Sequence, residues 1–204
     1  MTGMNTLETD DALLARMRSG DEQAFVTLYR RRQGALYRFV LRMTDSASLA
    51  EDVTQEVFLA LIRESCGYDP QRGTLSGYLF GIARKLVLRH LERSRSLAED
   101  DLESEDLAVS ELASADPMVD LLRREGIQQL RKAVLALPRR YREVVVLCDL
   151  QEMDYADAAV VLDCPIGTVR SRLHRARALL LEKLRPRRES RFGVNALKLA
   201  RSVI

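Results

Sequence analysis

The sequence predicts an all-α protein: two small helical domains joined by a flexible acidic linker. Three observations carry that prediction. Leu, Ala and Arg dominate the 204 residues, aromatic residues make up 5%, and Trp is absent, a mixture that favours helices over strands. Charge is segregated. The formal net of +2 hides a strip, residues 96–120, with nine acidic side chains and no basic one, set between two net-basic blocks. Finally, apolar residues recur at helical spacing between cap residues in both basic blocks. The expected boundaries are 1–95, 96–120, 121–185 and a basic tail at 186–204.

Several function classes are disfavoured from the same data. No apolar run approaches the ~20 residues that cross a bilayer, so direct membrane insertion is not expected. The amino-terminal stretch MTGMNTLETDDALLARM carries acids early and lacks a continuous apolar core, unlike a secretory signal. Cys66, Cys148 and Cys164 show neither CxxC nor Cys/His ligand spacing, so no disulfide framework and no metal site is indicated. A reduced, cytoplasmic setting is expected, with no cofactor.

The first block reads as consecutive helices. Asp10 or Asp11 can cap a short helix over Ala12–Arg18 that ends at Gly20. Asp21 can cap a longer one with Phe25, Leu28, Tyr29, Leu36, Phe39, Val40 and Met43 inward. A third starts at Ser46 or Ser48 and buries Val53, Val57, Ala60 and Leu61. On it Asp52, Gln55 and Glu56 share one exposed face, with Leu59 one turn on. That ridge fits either ordinary solvated surface or a docking edge for a partner helix. Gly67, Asp69, Pro70 and Gly73 then make a loop. The next helix turns Leu75, Leu79, Ile82, Leu86 and His90/Leu91 inward, and puts Tyr78, Lys85 and Arg89 outside with Arg84 and Arg93 flanking. An aromatic ring among cations is the composition that stacks on unpaired bases while holding phosphates, although Tyr78 could equally pack on the loop.

The second block carries the strongest signal. Pro138 starts a helix over about Tyr141–Leu147, and Asp154 caps a short helix through Leu162. Asp163-Cys164-Pro165 breaks the chain, and another helix starts near Ile166: a helix-turn-helix. Ile166, Val169, Leu173, Ala176, Leu180 and Leu184 form its inward stripe. Arg170, Ser171, His174 and Arg175 lie opposite, with Arg172 and Arg177 on the flanks. Such a helix fits the DNA major groove, where Arg pairs with guanine edges or neutralises phosphate. The acidic strip reads as a solvated spacer, or as a nucleic-acid mimic for a basic channel.

Two strings, LAEDVTQEVFLALI (49–62) and LDCPIGTVRSRLHRARALL (162–180), the latter preceded by LPRRYREVVVL (137–147), resemble the extracytoplasmic-function (ECF) type of RNA polymerase sigma factor in the sigma-70 family. The resemblance implies that 1–95 holds sigma region 2, a helical bundle, and 121–185 sigma region 4, with no region 3. It implies a non-enzymatic initiation factor that binds RNA polymerase core, directs it to −35/−10 promoter DNA and assists melting. Asp52, Gln55, Glu56 and Leu59 would dock on the clamp helices of the largest polymerase subunit. Tyr68, Arg72, Tyr78, Arg84, Lys85 and Arg89 would hold the −10 element. Thr168, Arg170, Ser171, Arg172, His174 and Arg175 would read the −35 element, while region 4 rests on the flap of the second-largest subunit. An anti-sigma factor, often anchored in the inner membrane, would control it. The chain departs from the family pattern at Tyr78 (usually Trp), Lys85 (often Asn), Arg89 (often Asp), Cys148 (often Arg) and Asp163 (often Gly). A stand-alone helix-turn-helix regulator is the alternative. A hydrolase is disfavoured, because only His90 and His174 could serve as a catalytic base of that kind.

Overall fold

The computed structural model describes residues 8–63, 67–97 and 117–185. Cys66, the strip at 98–116 and the tail at 186–204 lie outside the described residues, so the readings placed on them end with the sequence. Among the described residues every regular element is helical.

Helix α1 (Asp10–Arg18) is capped by Thr9, whose Oγ1 accepts from the Ala12 amide at 3.3 Å, and not by Asp10 or Asp11. Those two acids are drawn into tertiary contacts instead. Asp10 bridges Arg31 (2.7 Å) and Arg32 (2.5 Å) of α2 (Glu22–Thr44), and Asp11 accepts from the Tyr68 hydroxyl at 2.7 Å. Asp21 caps α2 through the Gln23 and Ala24 amides, as expected, and also pairs with Arg16. Gly20 is left-handed at φ 91°, which lets the chain turn between α1 and α2. Ser46 caps α3 (Ala47–Arg63) through the Leu49 amide.

Leu28, Leu36, Phe39, Val40 and Met43 of α2 pack against Val53, Val57 and Leu61 of α3 and against Leu75, Leu79, Phe80 and Val87 of α4 (Leu75–Leu97). Phe39 and Phe80 meet edge to face at 5.4 Å. His90, expected inward, is exposed: α4 buries Val87 and half-buries Leu91, and position 90 falls on the other side.

The helix that follows the acidic strip starts inside the stretch read as linker. Helix α5 (Pro117–Leu135) takes in the last four residues assigned to the linker, with Pro117 at its first turn. Helix α6 (Arg139–Val145) starts directly after Pro138, two residues before the expected start, and runs on as a π-helical turn, Val146–Leu150. Asp154 caps α7 (Tyr155–Leu162) through the Asp157 amide at 2.8 Å. Asp163 closes α7 in the left-handed region at φ 52°, a conformation Asp tolerates better than most side chains, which explains how it stands where Gly is usual. Helix α8 (Ile166–Leu184) buries Val169, Leu173 and Ala176 and half-buries Leu180 and Leu184. Ile166, expected at the head of that stripe, is 40% exposed. The buried side chains of the two domains join in one continuous core.

Candidate nucleic-acid interface

The α3 ridge is as the sequence arranged it. Asp52, Gln55 and Glu56 are exposed, Leu59 is 48% exposed, and Ile62, which sequence reasoning passed over, is 51% exposed one turn further. The face is acidic at one end and apolar at the other, the pattern of a helix that packs against a partner with both cations and aliphatic surface.

The loop after α3 is organised by its own turn chemistry. Asp69 caps the 3-10 turn Pro70–Arg72 through the Gln71 amide at 2.9 Å, and Thr74 caps α4 through the Gly77 amide at 3.1 Å. The residues expected to hold unpaired DNA fall into three groups. Arg72, Lys85 and Arg89 are exposed. Tyr78 is half-buried, its ring 5.6 Å from that of Tyr68, and a Cβ on Gly67 would lie 3.1 Å from its hydroxyl. Tyr68 and Arg84 are not presented to a ligand. Tyr68 is 6% exposed and donates to Asp11; burial, that carboxylate and further acids push its phenol above the ordinary tyrosine range. The Arg84 Nε donates at 2.9 Å to Glu143 of α6, which is 3% exposed.

On α8, Arg170, Ser171, His174 and Arg175 are exposed on one face, whereas Thr168 and Arg172 are half-buried. Arg172 Nη1 lies 4.0 Å from the Cys164 Sγ, so it leans on the turn of the helix-turn-helix. Arg170 sits over the Tyr155 ring at 6.0 Å. Arg177 is clamped by both carboxylate oxygens of Asp149, at 2.5 and 3.1 Å, which ties α8 to the π-helical turn. Beside Arg175, Arg140 lies 4.8 Å over the Tyr141 ring; Arg175 and Arg140 hold the Tyr141 phenol below its ordinary value. Cys148, where an arginine is frequent, is half-buried, and burial next to Asp149 raises its thiol to about 11, so it stays protonated at neutral pH.

The residues at 28–97 match the model of sigma-70 region 2, and those at 127–188 match that of sigma-70 region 4. The chain is 32% identical over 191 residues to the RNA polymerase sigma-H factor of Pseudomonas aeruginosa, covering 90% of this chain and 97% of that one. The chain belongs to the ECF-type sigma-70 family. Another relative of this sigma factor is the ECF RNA polymerase sigma-E factor of Escherichia coli K12, 31% identical over 188 residues, with 87% of this chain and 95% of the relative covered. Among solved structures it resembles CnrH in complex with the cytosolic domain of CnrY (TM-score 0.65, 25% identity, 87% and 97% covered). It also resembles the sigma factor RpoE in complex with the anti-sigma factor NepR from Bartonella quintana (TM-score 0.64, 26% identity, 80% and 98% covered).

In this sigma factor sequence reasoning also missed residues that join the two domains. Arg131 of α5 donates to Asp45 at 2.7 Å, and Arg142 of α6 donates to the Met43 carbonyl at 2.7 Å. Arg42 reaches the Leu150 carbonyl at 3.3 Å, and Thr74 donates to Asp157 of α7 at 2.5 Å. Burial lowers the basicity of both Arg42 and Arg142. One signal was present in the sequence: Glu143 interrupts the apolar run YREVVVL, where a surface helix would show a solvated face.

Proposed function

We propose that this sigma factor docks on RNA polymerase core through Asp52, Gln55, Glu56 and Leu59. It reads the −35 duplex with Arg170, Ser171, His174 and Arg175 and captures the opened −10 strand with Arg72, Tyr78, Lys85 and Arg89. Thr168 and Arg172 shape the turn that presents the reading face; Tyr68 and Arg84 belong to the −10 side as its support and its inner cation. The working units are 1–95 and 121–185, the strip at 96–120 threading the polymerase between them. The protein is a non-enzymatic initiation factor: strand opening draws on binding energy for unpaired bases.

One observation carries this reading. Regions 2 and 4 occur in a single chain, matched over 28–97 and 127–188, and the exposed side chains of each are of the type its role needs. Two structural relatives were solved with CnrY and with the anti-sigma factor NepR, which supports control by an anti-sigma factor. No described helix is long and apolar enough to cross a membrane, and a cytoplasmic site of action follows from the need to meet polymerase and DNA.

Run-off transcription with core polymerase on genomic fragments tests the proposal. Discrete transcripts that require the added chain are expected, with weak duplex binding by the chain alone. No initiation on any fragment, or tight operator binding without polymerase, would leave the stand-alone regulator as the better reading.

A further inference from the structure

We propose that helix α1 is the strut that shapes the strand-capture loop, with Asp11 as a positioning residue that acts through the hydroxyl of Tyr68. The inference rests on the reading of Arg72 and Tyr78 as groups that hold the opened −10 strand. It reaches beyond the matched segments, since α1 lies ahead of residue 28, where the region 2 match begins.

A loop that receives unpaired bases gains from being ordered before they arrive, because ordering on binding subtracts conformational entropy from the affinity. Residues 67–74 have little of their own to supply that order. Tyr68 is the one buried side chain among them, at 6% exposure; Gly73 is half-buried and the rest are exposed. Tyr68 is therefore the pin of the loop, and its hydroxyl decides where the pin is set. That hydroxyl donates to Asp11 Oδ1 at 2.7 Å and lies 3.2 Å from the Gly73 carbonyl oxygen, so one polar group joins both ends of the loop to α1. Gly73 holds φ 146°, a conformation that suits glycine and that sets the direction of its carbonyl. The Tyr68 ring in turn lies 5.6 Å from that of Tyr78.

The neighbouring acid ties the far side of the loop. Asp10 accepts from Arg32 Nε at 2.5 Å, and Arg32 Nη1 donates to the Ser76 hydroxyl, in the first turn of α4, at 3.4 Å. Helix α1 is itself firmly seated: Leu13 and Leu14 are buried, and Thr9 does the capping, which leaves Asp10 and Asp11 to reach α2 and the loop. Packing alone does not call for this arrangement. A ring wanted only for its apolar area would be phenylalanine, and Asp11 is exposed, so its carboxylate is no part of the core. A charged acceptor makes the stronger kind of hydrogen bond to a phenol, which suits a contact that has to hold a loop in one shape.

Run-off transcription by the full chain with saturating core polymerase tests the strut. Two templates share one −35 element, taken from a fragment that gives run-off, and carry its −10 element either matched or scrambled. Saturating core removes differences in core affinity. The ratio of the two yields does not depend on the amount of active protein, which is all that a merely structural role would change. Asp11 is exposed and phenylalanine fills the volume of the Tyr68 ring, so Asp11→Ala and Tyr68→Phe both fold. Each should lower the matched-to-scrambled ratio by about five-fold, the worth of one hydrogen bond lost. The double variant should fall no further than either single one, because both remove the same contact. Asp11→Asn, which retains an acceptor oxygen, should recover most of the ratio, and Glu22→Ala, which removes an exposed acid of α2, should match the parent.

Tyr78→Ala marks the loop reading in the same assay. A lowered ratio in Tyr78→Ala with unchanged ratios in Asp11→Ala and Tyr68→Phe overturns the strut and keeps the strand-capture reading. Unchanged ratios in all three overturn both. A double variant whose loss is the product of the two single losses overturns the coupling of Asp11 to the loop through Tyr68.

Discussion

Replacing Asp52 by Arg tests the α3 ridge as a polymerase contact. Asp52 is exposed in the second turn of α3 and forms no ion pair among the described residues, so the fold should lose no more than about 0.5 kcal/mol. Association with core is another matter. Reversing one charge of a ridge that also carries Glu56 breaks an attraction and adds a repulsion, and disruption of a charge pair in an interface costs about 2–5 kcal/mol. About 3 kcal/mol corresponds to roughly a hundred-fold weaker binding. Leu59→Asp should act through area instead. With 48% of Leu59 exposed, about half of the 1.5–3 kcal/mol for burying a leucine remains to be gained on docking, so about 1 kcal/mol is lost. Competition of each variant with a fluorescent parent for core at physiological salt gives the ratios, and circular dichroism reports the fold. Binding of Asp52→Arg within two-fold of the parent, with helicity intact, would refute the assignment of this face.

Three further outcomes are expected. Arg175→Ala should lower transcription from a matched −35 element by about 1–3 kcal/mol and leave core affinity unchanged, measured against a template with that element scrambled. Tyr78→Ala should weaken open-complex formation by about 1–3 kcal/mol, whereas Tyr78→Phe keeps the ring and most of the effect; permanganate reactivity of the opened strand reports both. Asp21 is held below the ordinary carboxylate range by its hydrogen bond to Arg16 and by the α2 amides. A depressed folded-state pKa means stability that is present above the unfolded value and lost as pH falls through the folded one. The parent's melting temperature should therefore fall more between about pH 6 and about pH 3 than that of Asp21→Asn, which still caps α2.

Much of each domain was legible because local rules and tertiary structure agree there. Asp21, Ser46 and Asp154 cap the helices they precede, and the stripes through Val53 and Val57 and through Val169, Leu173 and Ala176 are buried. The α8 face was legible for the same reason: its polarity is set by the period of one helix. Misreadings arose where a side chain had a distant partner that outcompeted the local one. Asp10 and Asp11 satisfy every local requirement of an N-cap, yet Arg31, Arg32 and Tyr68 take them and leave the role to Thr9. Tyr68, placed among the −10 residues by the family resemblance, is instead tied by its hydroxyl to an acid 57 residues away.

The contact between the domains was hidden for a deeper reason. Periodicity reports which face of a helix leaves water but not what covers it, so a stripe buried within a domain and one buried between domains read alike. Helix α6 shows this. Tyr141, Glu143, Val144 and Val145 are all buried, so the helix is enclosed on more sides than its own domain's stripe needs. A glutamate in such a helix must face a cation, and the basic residues of α4 were already spoken for as DNA ligands when the sequence was taken one domain at a time. The Arg84–Glu143 pair joins α4 to α6 through the Arg84 Nε at 2.9 Å, a contact that no reading of one domain at a time could pair. An outside ligand for Arg84 would have to compete with that carboxylate, whereas Arg170, Ser171, His174 and Arg175 of α8 are exposed to solvent.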